Sequence, residues 1–360
     1  MKKDKILVLE KEAQLCFELG HYDKAISKLN RILEIAPNEA RYYYLSGLSH
    51  YKLKQYSQAI EYFKICIILD RSHLNAYYTL ANLYLDIDQK NEAIDTYQRV
   101  LTYFPEDLDA NISLAEIHLQ VAPAKSIRFY TKALAQKPDS TYILNNLGVA
   151  YSKCGRDHEA LPYFLEAIQL NPSDAVYYSN LGATYIALKA YKEATIAYHK
   201  AISYAAPNAD YYNYLAIAYS KMGEQDLAIK TYQNCLAIDP KHQIALNNLG
   251  YVYSKIGKYQ EGIVLLTDAI TISPNEPFPY NNRGYCYLSL GNLPAAIQDI
   301  NHSITLDSNN AYAYRNRALY YKTLGQKEAT IADLMMARRL SVDEVFKNEL
   351  NLLLDECYRT

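Results

Sequence analysis

The feature that most restricts this chain is a motif that returns every 34 residues. Leu147-Gly148-Val149-Ala150-Tyr151 recurs as Leu181-Gly182-Ala183-Thr184-Tyr185 and, two periods later, as Leu249-Gly250-Tyr251-Val252-Tyr253. A fixed period of this size means a row of similar supersecondary units, each burying its apolar face on the next. The 360 residues therefore need not divide into two or three globular domains, the usual expectation for this length.

With Thr141 as position 1, one unit reads Leu144 (4), Leu147 (7), Gly148 (8), Tyr151 (11), Gly155 (15), Ala160 (20), Phe164 (24), Ala167 (27) and Pro172 (32). Positions 4, 7 and 11 make an apolar stripe on a first helix, A. Position 8 is small so that a second helix, B, can come close. Glycine at 15 ends helix A in the left-handed conformation. Positions 20, 24 and 27 form the facing stripe of helix B, and proline at 32 stops it. Ten registers fit, starting at Ile6, Ala40, Leu74, Leu108, Thr141, Ala175, Ala209, Gln243, Pro277 and Ala311. Position 8 is Gly or Ala in all of them, from Ala13 and Gly47 to Gly284 and Ala318, and position 20 is never large.

The period and this pattern resemble the tetratricopeptide repeat (TPR) family. The resemblance covers residues 6 to about 341. It implies an all-α fold: a right-handed superhelical α-solenoid of tandem helix-turn-helix repeats with a concave inner face. At position 4, often Trp in that family, this chain places Tyr43, Tyr77, Tyr178, Tyr212, Tyr280 and Tyr314, part of a total of 38 tyrosines with no tryptophan. Repeat 4 is one residue short near Gln120-Val121-Ala122-Pro123-Ala124, where Pro123 is expected in the turn and where two sub-arrays are expected to meet. The expected organisation is a tail over 1–5, repeats 1–4 over 6–140, repeats 5–10 over 141–341 and a capping helix over 342–360. The last begins with a capping box at Ser341-Val342-Asp343-Glu344.

Little else in the composition points elsewhere. A net charge of −2 calls for neither nucleic acid nor an anionic membrane. No run of 18 apolar residues offers a membrane span, and the charged N-terminus does not read as a signal peptide, so a cytoplasmic location is expected. Cys16, Cys66, Cys154, Cys235, Cys286 and Cys357 lie far apart and read as buried thiols. The eight histidines have no metal-ligand spacing, and no phosphate-cradling loop or nucleophile elbow is present. The chain reads as a non-enzyme without cofactor or metal.

What remains is the lining of helix A, positions 2, 5, 6, 9, 12 and 13, opposite the packing stripe. From repeat 5 onward position 6 reads Asn146, Asn180, Tyr214, Asn248, Asn282 and Asn316. Helix propensity does not explain asparagine there. Its amide matches a peptide group's donor and acceptor, and the resemblance implies an Asn ladder that grips an extended chain. The alternative is that these amides bond within or between repeats. Asn145, Asn213, Asn247 and Asn281 at position 5, and Lys153, Lys221 and Lys255 at position 13, extend the candidate surface, with Tyr251 and Tyr285 as aromatic anchors. Arg315 and Lys322 continue the basic character against Asp210 alone, whereas repeats 1–4 place Glu10, Glu18, Asp86, Asp109 and Glu116 on their lining against Lys11, Arg41 and Lys52. An extended partner would then lie with its acidic part in the C-terminal half, unless these charges are only solvated surface.

In repeats 9 and 10 position 7 becomes Arg283 and Arg317, and position 23 becomes Asp299 and Asp333. Two internal structural ion pairs are expected. The leading expectation is a scaffold for a protein or peptide partner with an acidic segment, without nucleic acid or membrane insertion. The alternative is an assembly or self-associating subunit, a homodimer included, that binds folded partners through outer faces and terminal helices. A co-chaperone clamp is rejected, because position 5 is never Lys and position 9 is Asn only at Asn82.

Overall fold

The computed structural model describes residues 2–359. Among these, every regular element is an α-helix. They fall into two compact units, residues 1–171 and 172–360. The first holds α1 (Lys2–Glu18), α2 (Tyr22–Leu33), α3 (Ala40–Lys52), α4 (Tyr56–Leu69), α5 (Leu74–Asp86), α6 (Lys90–Tyr103), α7 (Leu108–Val121), α8 (Pro123–Gln136), α9 (Thr141–Lys153) and α10 (Asp157–Leu170). The second holds α11 (Ala175–Ala187), α12 (Tyr191–Tyr204), α13 (Ala209–Met222), α14 (Gln225–Ile238), α15 (Gln243–Lys255), α16 (Tyr259–Ile272), α17 (Pro277–Ser289), α18 (Leu293–Leu306), α19 (Ala311–Thr323), α20 (Lys327–Leu340) and α21 (Glu344–Arg359). Within each unit the helices pair in sequence as hairpins and stack, an α-solenoid arrangement.

From α3 to α19 every A helix starts on the residue that opens its repeat register. The first does not: α1 begins at Lys2, so residues 2–5, read from sequence as a tail, are helical. The division between units falls in the last residues of repeat 5, one repeat beyond the short repeat 4.

Small residues at position 8 are required by geometry. A Cβ on Gly148 would stand 2.7 Å from the Phe164 ring, and one on Gly182 2.7 Å from the Tyr198 ring. Both rings are buried at position 24 of the facing helix. Tyrosine at position 4 adds a polar tip that a smaller apolar residue lacks. The hydroxyls of Tyr43, Tyr178 and Tyr280 donate to the carbonyls of Pro37, Pro172 and Pro274, at 2.9, 3.1 and 3.1 Å. Each thus ties helix A to the turn that precedes it. Position 15 is left-handed without glycine in three repeats: Lys54, Asp88 and Lys189 have φ of 59°, 58° and 60°.

Two details differ from the sequence expectation. Pro123 is not in the turn but is the first residue of α8, where its missing N–H leaves no bond unmade and its fixed φ suits the helix. The turn of repeat 4 is then Ala122 alone, which accounts for the missing residue. At the last helix the cap is Asp343 rather than a box led by Ser341. Asp343 Oδ1 accepts from the Val345 and Phe346 amides at 2.9 and 3.4 Å, and Ser341 Oγ accepts only from the Asp343 amide. α21 buries Phe346, Leu350, Leu354 and Cys357 against Ala311, Ala318, Leu334 and Ala337, closing the core of repeat 10. No helix among the described residues is long and apolar enough to cross a membrane.

Candidate functional site

In the second unit successive A helices touch one another: α13 with α15, α15 with α17, and α17 with α19. Their free faces enclose a cleft of about 470 Å³. It is lined by Lys221 from α13, by Ile244, Asn247, Asn248, Tyr251 and Lys255 from α15, by Phe278, Asn281, Asn282 and Tyr285 from α17, and by Tyr312, Arg315 and Asn316 from α19. An adjoining hollow of about 580 Å³ shares Lys221, Asn248, Tyr251 and Lys255 and continues toward Ile217, Ser220 and Tyr232. The two together form one elongated depression along the stack.

The cleft has a basic, aromatic character. Lys255 Nζ stands 5.6 Å from the Tyr251 ring centre, and the Arg315 guanidinium carbon 5.6 Å from that of Tyr285. Such placements hold a cation over a ring without neutralising it. Among the described residues neither Lys221 nor Lys255 has a carboxylate within ion-pair distance. Glu276 is the single acidic residue of the lining. Burial pushes the Tyr312 hydroxyl above the ordinary tyrosine range, with the Asp343 charge adding to the effect.

The asparagines form bonds mainly with each other. Asn282 Nδ2 donates to Asn247 Oδ1 of the preceding repeat at 3.0 Å, and Asn316 Nδ2 donates to Asn281 Oδ1 at 2.8 Å. Asn247 Nδ2 donates to Asn248 Oδ1 at 3.2 Å, and Asn146 Nδ2 returns to the Tyr142 carbonyl of its own helix at 2.9 Å. Position 6 of one repeat thus reaches position 5 of the repeat before it, which is the second of the two alternatives open from sequence. Asn145, Asn213, Asn281 and Asn316 are buried; Asn281 and Asn316 still belong to the cleft lining, whereas Asn213 does not. Asn248 and Asn282 are half-buried and do line the cleft. Asn180 lies in the same unit outside the lining, and Asn146 and Lys153 belong to the first unit.

The acidic lining of repeats 1–4 is also engaged internally. Tyr51 donates to Asp86 and Tyr142 to Glu116, while Glu10 accepts from Tyr42 at 3.1 Å and from Arg41 at 3.0 Å. The neighbouring Asp86 carboxylate, together with burial, pushes the Tyr51 hydroxyl up to about 12. Sequence reasoning missed these bonds because the partners are 26 to 35 residues apart.

Arg283 and Arg317 lie behind the cleft wall. Arg283 donates Nε and Nη2 to Asp299 at 2.7 and 3.0 Å, and Nη1 to Thr267 of the previous repeat at 3.1 Å. Arg317 does the same with Asp333 at 2.7 and 2.9 Å and with Asn301 at 3.0 Å. Each guanidinium joins three helices, and the Asp beside it raises its affinity for the proton. Each position-25 contact to the repeat before was outside the sequence expectation.

Profiles of the tetratricopeptide repeat match residues 78–141, 141–174, 175–208, 209–242, 231–263 and 265–298, together more than half of the chain. A profile described as anaphase-promoting complex, cyclosome, subunit 3 matches residues 18–100. Over 131 residues the chain is 33% identical to the Photosystem I assembly protein Ycf3 of Prochlorococcus marinus (strain MIT 9301), a match covering 36% of this chain and 58% of that protein. The chain thus spans less than two thirds of that relative's length. Two solved structures share the fold. The APC/C hetero-tetramer Cut9-Hcn1 is 17% identical with a TM-score of 0.58, over 99% of this chain and 90% of that one. A tetratricopeptide repeat protein from Parabacteroides merdae ATCC 43184 is 18% identical with a TM-score of 0.59, over 70% and 98%. By register, helix boundaries and these matches, the chain belongs to the tetratricopeptide repeat family.

Proposed function

We propose that this protein is a non-catalytic interaction scaffold that holds an extended, acidic segment of a partner protein in the cleft of repeats 7–10. One observation carries the reading: Asn248, Asn282, Lys221, Lys255, Tyr251 and Tyr285 line the same elongated depression. Aromatic anchors in a concave site supply affinity, and unneutralised cations select an acidic partner. The Asn contribution is narrower than a continuous ladder, resting on Asn248 and Asn282. The test is a fluorescence titration with peptides selected from an array of 12-residue synthetic sequences. Changing Asn248 and Asn282 together to Ala weakens binding about tenfold, with the melting temperature little changed. Unchanged binding refutes the site.

A second reading, a subunit that binds folded partners or itself through outer faces, is favoured by exposed apolar residues on the terminal helices: Leu7, Val8 and Leu15 of α1, and Val345 and Leu352 of α21. The description of Ycf3 as an assembly protein is compatible with it. Light scattering of the purified chain against a Val345→Glu, Leu352→Glu variant separates the two. A concentration-dependent dimer lost in the variant supports the second reading.

A further inference from the structure

Repeats 9 and 10 contain three arginines that share one bonding pattern, and one of the three is incomplete. In Arg283 and Arg317 the Nη1 group bonds a neutral side chain, and the Nε/Nη2 edge is filled by both oxygens of one aspartate. In Arg315 the Nη1 group likewise bonds a neutral side chain, Asn316 Oδ1, at 2.8 Å. Its Nε/Nη2 edge carries no hydrogen bond among the described residues and only a long ion pair from Nε to Glu349. Nε is buried and makes no hydrogen bond among the described residues. The nearest carboxylate, Glu349 of α21, stands at 3.5 Å, outside hydrogen-bond geometry, and is half exposed. Arg315 is nevertheless held in place by its surroundings. Its side chain is 14% exposed, it lies over Tyr285, and Asn316 is itself locked to Asn281. An arginine oriented in advance, with the edge that suits two parallel bonds to a carboxylate covered only by a loose, half-exposed glutamate, is a built receptor for that group.

We infer that Arg315 is the carboxylate-reading residue of the cleft, and that Glu349 is an internal carboxylate that a ligand's carboxylate displaces. The inference rests on the peptide-binding reading above and names its specificity. The ligand would carry a carboxylate near aromatic or aliphatic residues that fill the space between Tyr251, Phe278 and Tyr312. The group can come from an Asp or Glu side chain or from a chain terminus. α21 thereby becomes more than an end cap: it places a competing negative charge beside the reading residue and sets a threshold for binding.

The experiment uses the full chain and the array-selected 12-residue peptides. Each is made with Glu, with Gln at the same place, and with an amidated or a free C-terminus. With wild type, Glu→Gln in the peptide, or amidation of its terminus if that is the source, weakens binding about five- to tenfold. In Arg315→Gln this discrimination falls to less than about twofold, and Arg315→Lys, which keeps the charge and loses the fork, retains only part of it. In Glu349→Gln the acidic peptide binds roughly three- to fivefold tighter and its neutral counterpart is unaffected. Circular dichroism shows that the variants remain folded, and Glu349→Gln, at a half-exposed site, carries the test should Arg315→Gln unfold. Peptides that bind wild type with Glu/Gln discrimination unaltered in Arg315→Gln and affinity unaltered in Glu349→Gln overturn this inference alone. No peptide binding wild type overturns the cleft reading, and the inference with it.

Discussion

Asn316 of α19 donates its amide to Asn281 of α17 across 2.8 Å, with the Asn281 carbonyl 3.5 Å from the same nitrogen, and both side chains are buried. Asn281→Ala removes the short side-chain acceptor of a buried amide and leaves only the long contact to the backbone carbonyl. The expected loss is about 1–3 kcal/mol, read from the shift in urea midpoint. Asn282→Ala removes a half-buried partner and costs less than about 1 kcal/mol. The opposite ranking would mean that the amides do not clamp the repeats.

Arg283 and Asp299 form a part-buried fork between helices α17 and α18. Asp299→Ala leaves a part-buried guanidinium bonded only to Thr267 and is expected to cost about 2–3 kcal/mol. The same places in repeat 7 hold Leu215 and Thr231, both buried. Arg283→Leu with Asp299→Thr rebuilds that pair and restores most of the stability, so thermal melts of the single and double variants form the check.

Gly182 is expected to resist even a methyl group. Its added Cβ would meet the Tyr198 ring at 2.7 Å, so Gly182→Ala forces the two helices apart. The expected cost is about 1–3 kcal/mol, despite the gain in helix propensity. A variant more stable than wild type in thermal unfolding would show that the interface yields.

Lys54, Asp88 and Lys189 hold the left-handed turn that glycine holds in most other repeats. Replacing each by glycine relieves the steric cost of a Cβ at positive φ, and about 1 kcal/mol of stabilisation is expected per site. The three sites lie in different repeats, so their effects on the denaturation midpoint are expected to add.

The fold was legible because packing repeats with the period. Glycine or alanine at position 8 and small residues at position 20 answer a constraint internal to each hairpin, and the A helices accordingly begin where the register says. The Arg–Asp forks were legible for the same reason: 16 residues is one hairpin's reach. The candidate site was legible only in part. Recurrent asparagine at position 6 marked the face that carries the candidate cleft, but whether an amide points to a ligand or to the neighbouring helix depends on how closely adjacent A helices approach. Asn247 and Asn282 illustrate this, since each satisfies the other across a repeat boundary.

The sequence by itself determined the unit, its length, its turns and the faces that must be buried, because these follow from local sterics repeated ten times. Tertiary structure decided the rest. Contacts between one repeat and the next bonded Asn282 and Asn316 to the repeat before them, tied the acidic lining to tyrosine hydroxyls, and left Arg315 with only a long ion pair to Glu349 on its outer edge. A hydrogen bond is settled by distances of a few tenths of an ångström, which a 34-residue period does not encode.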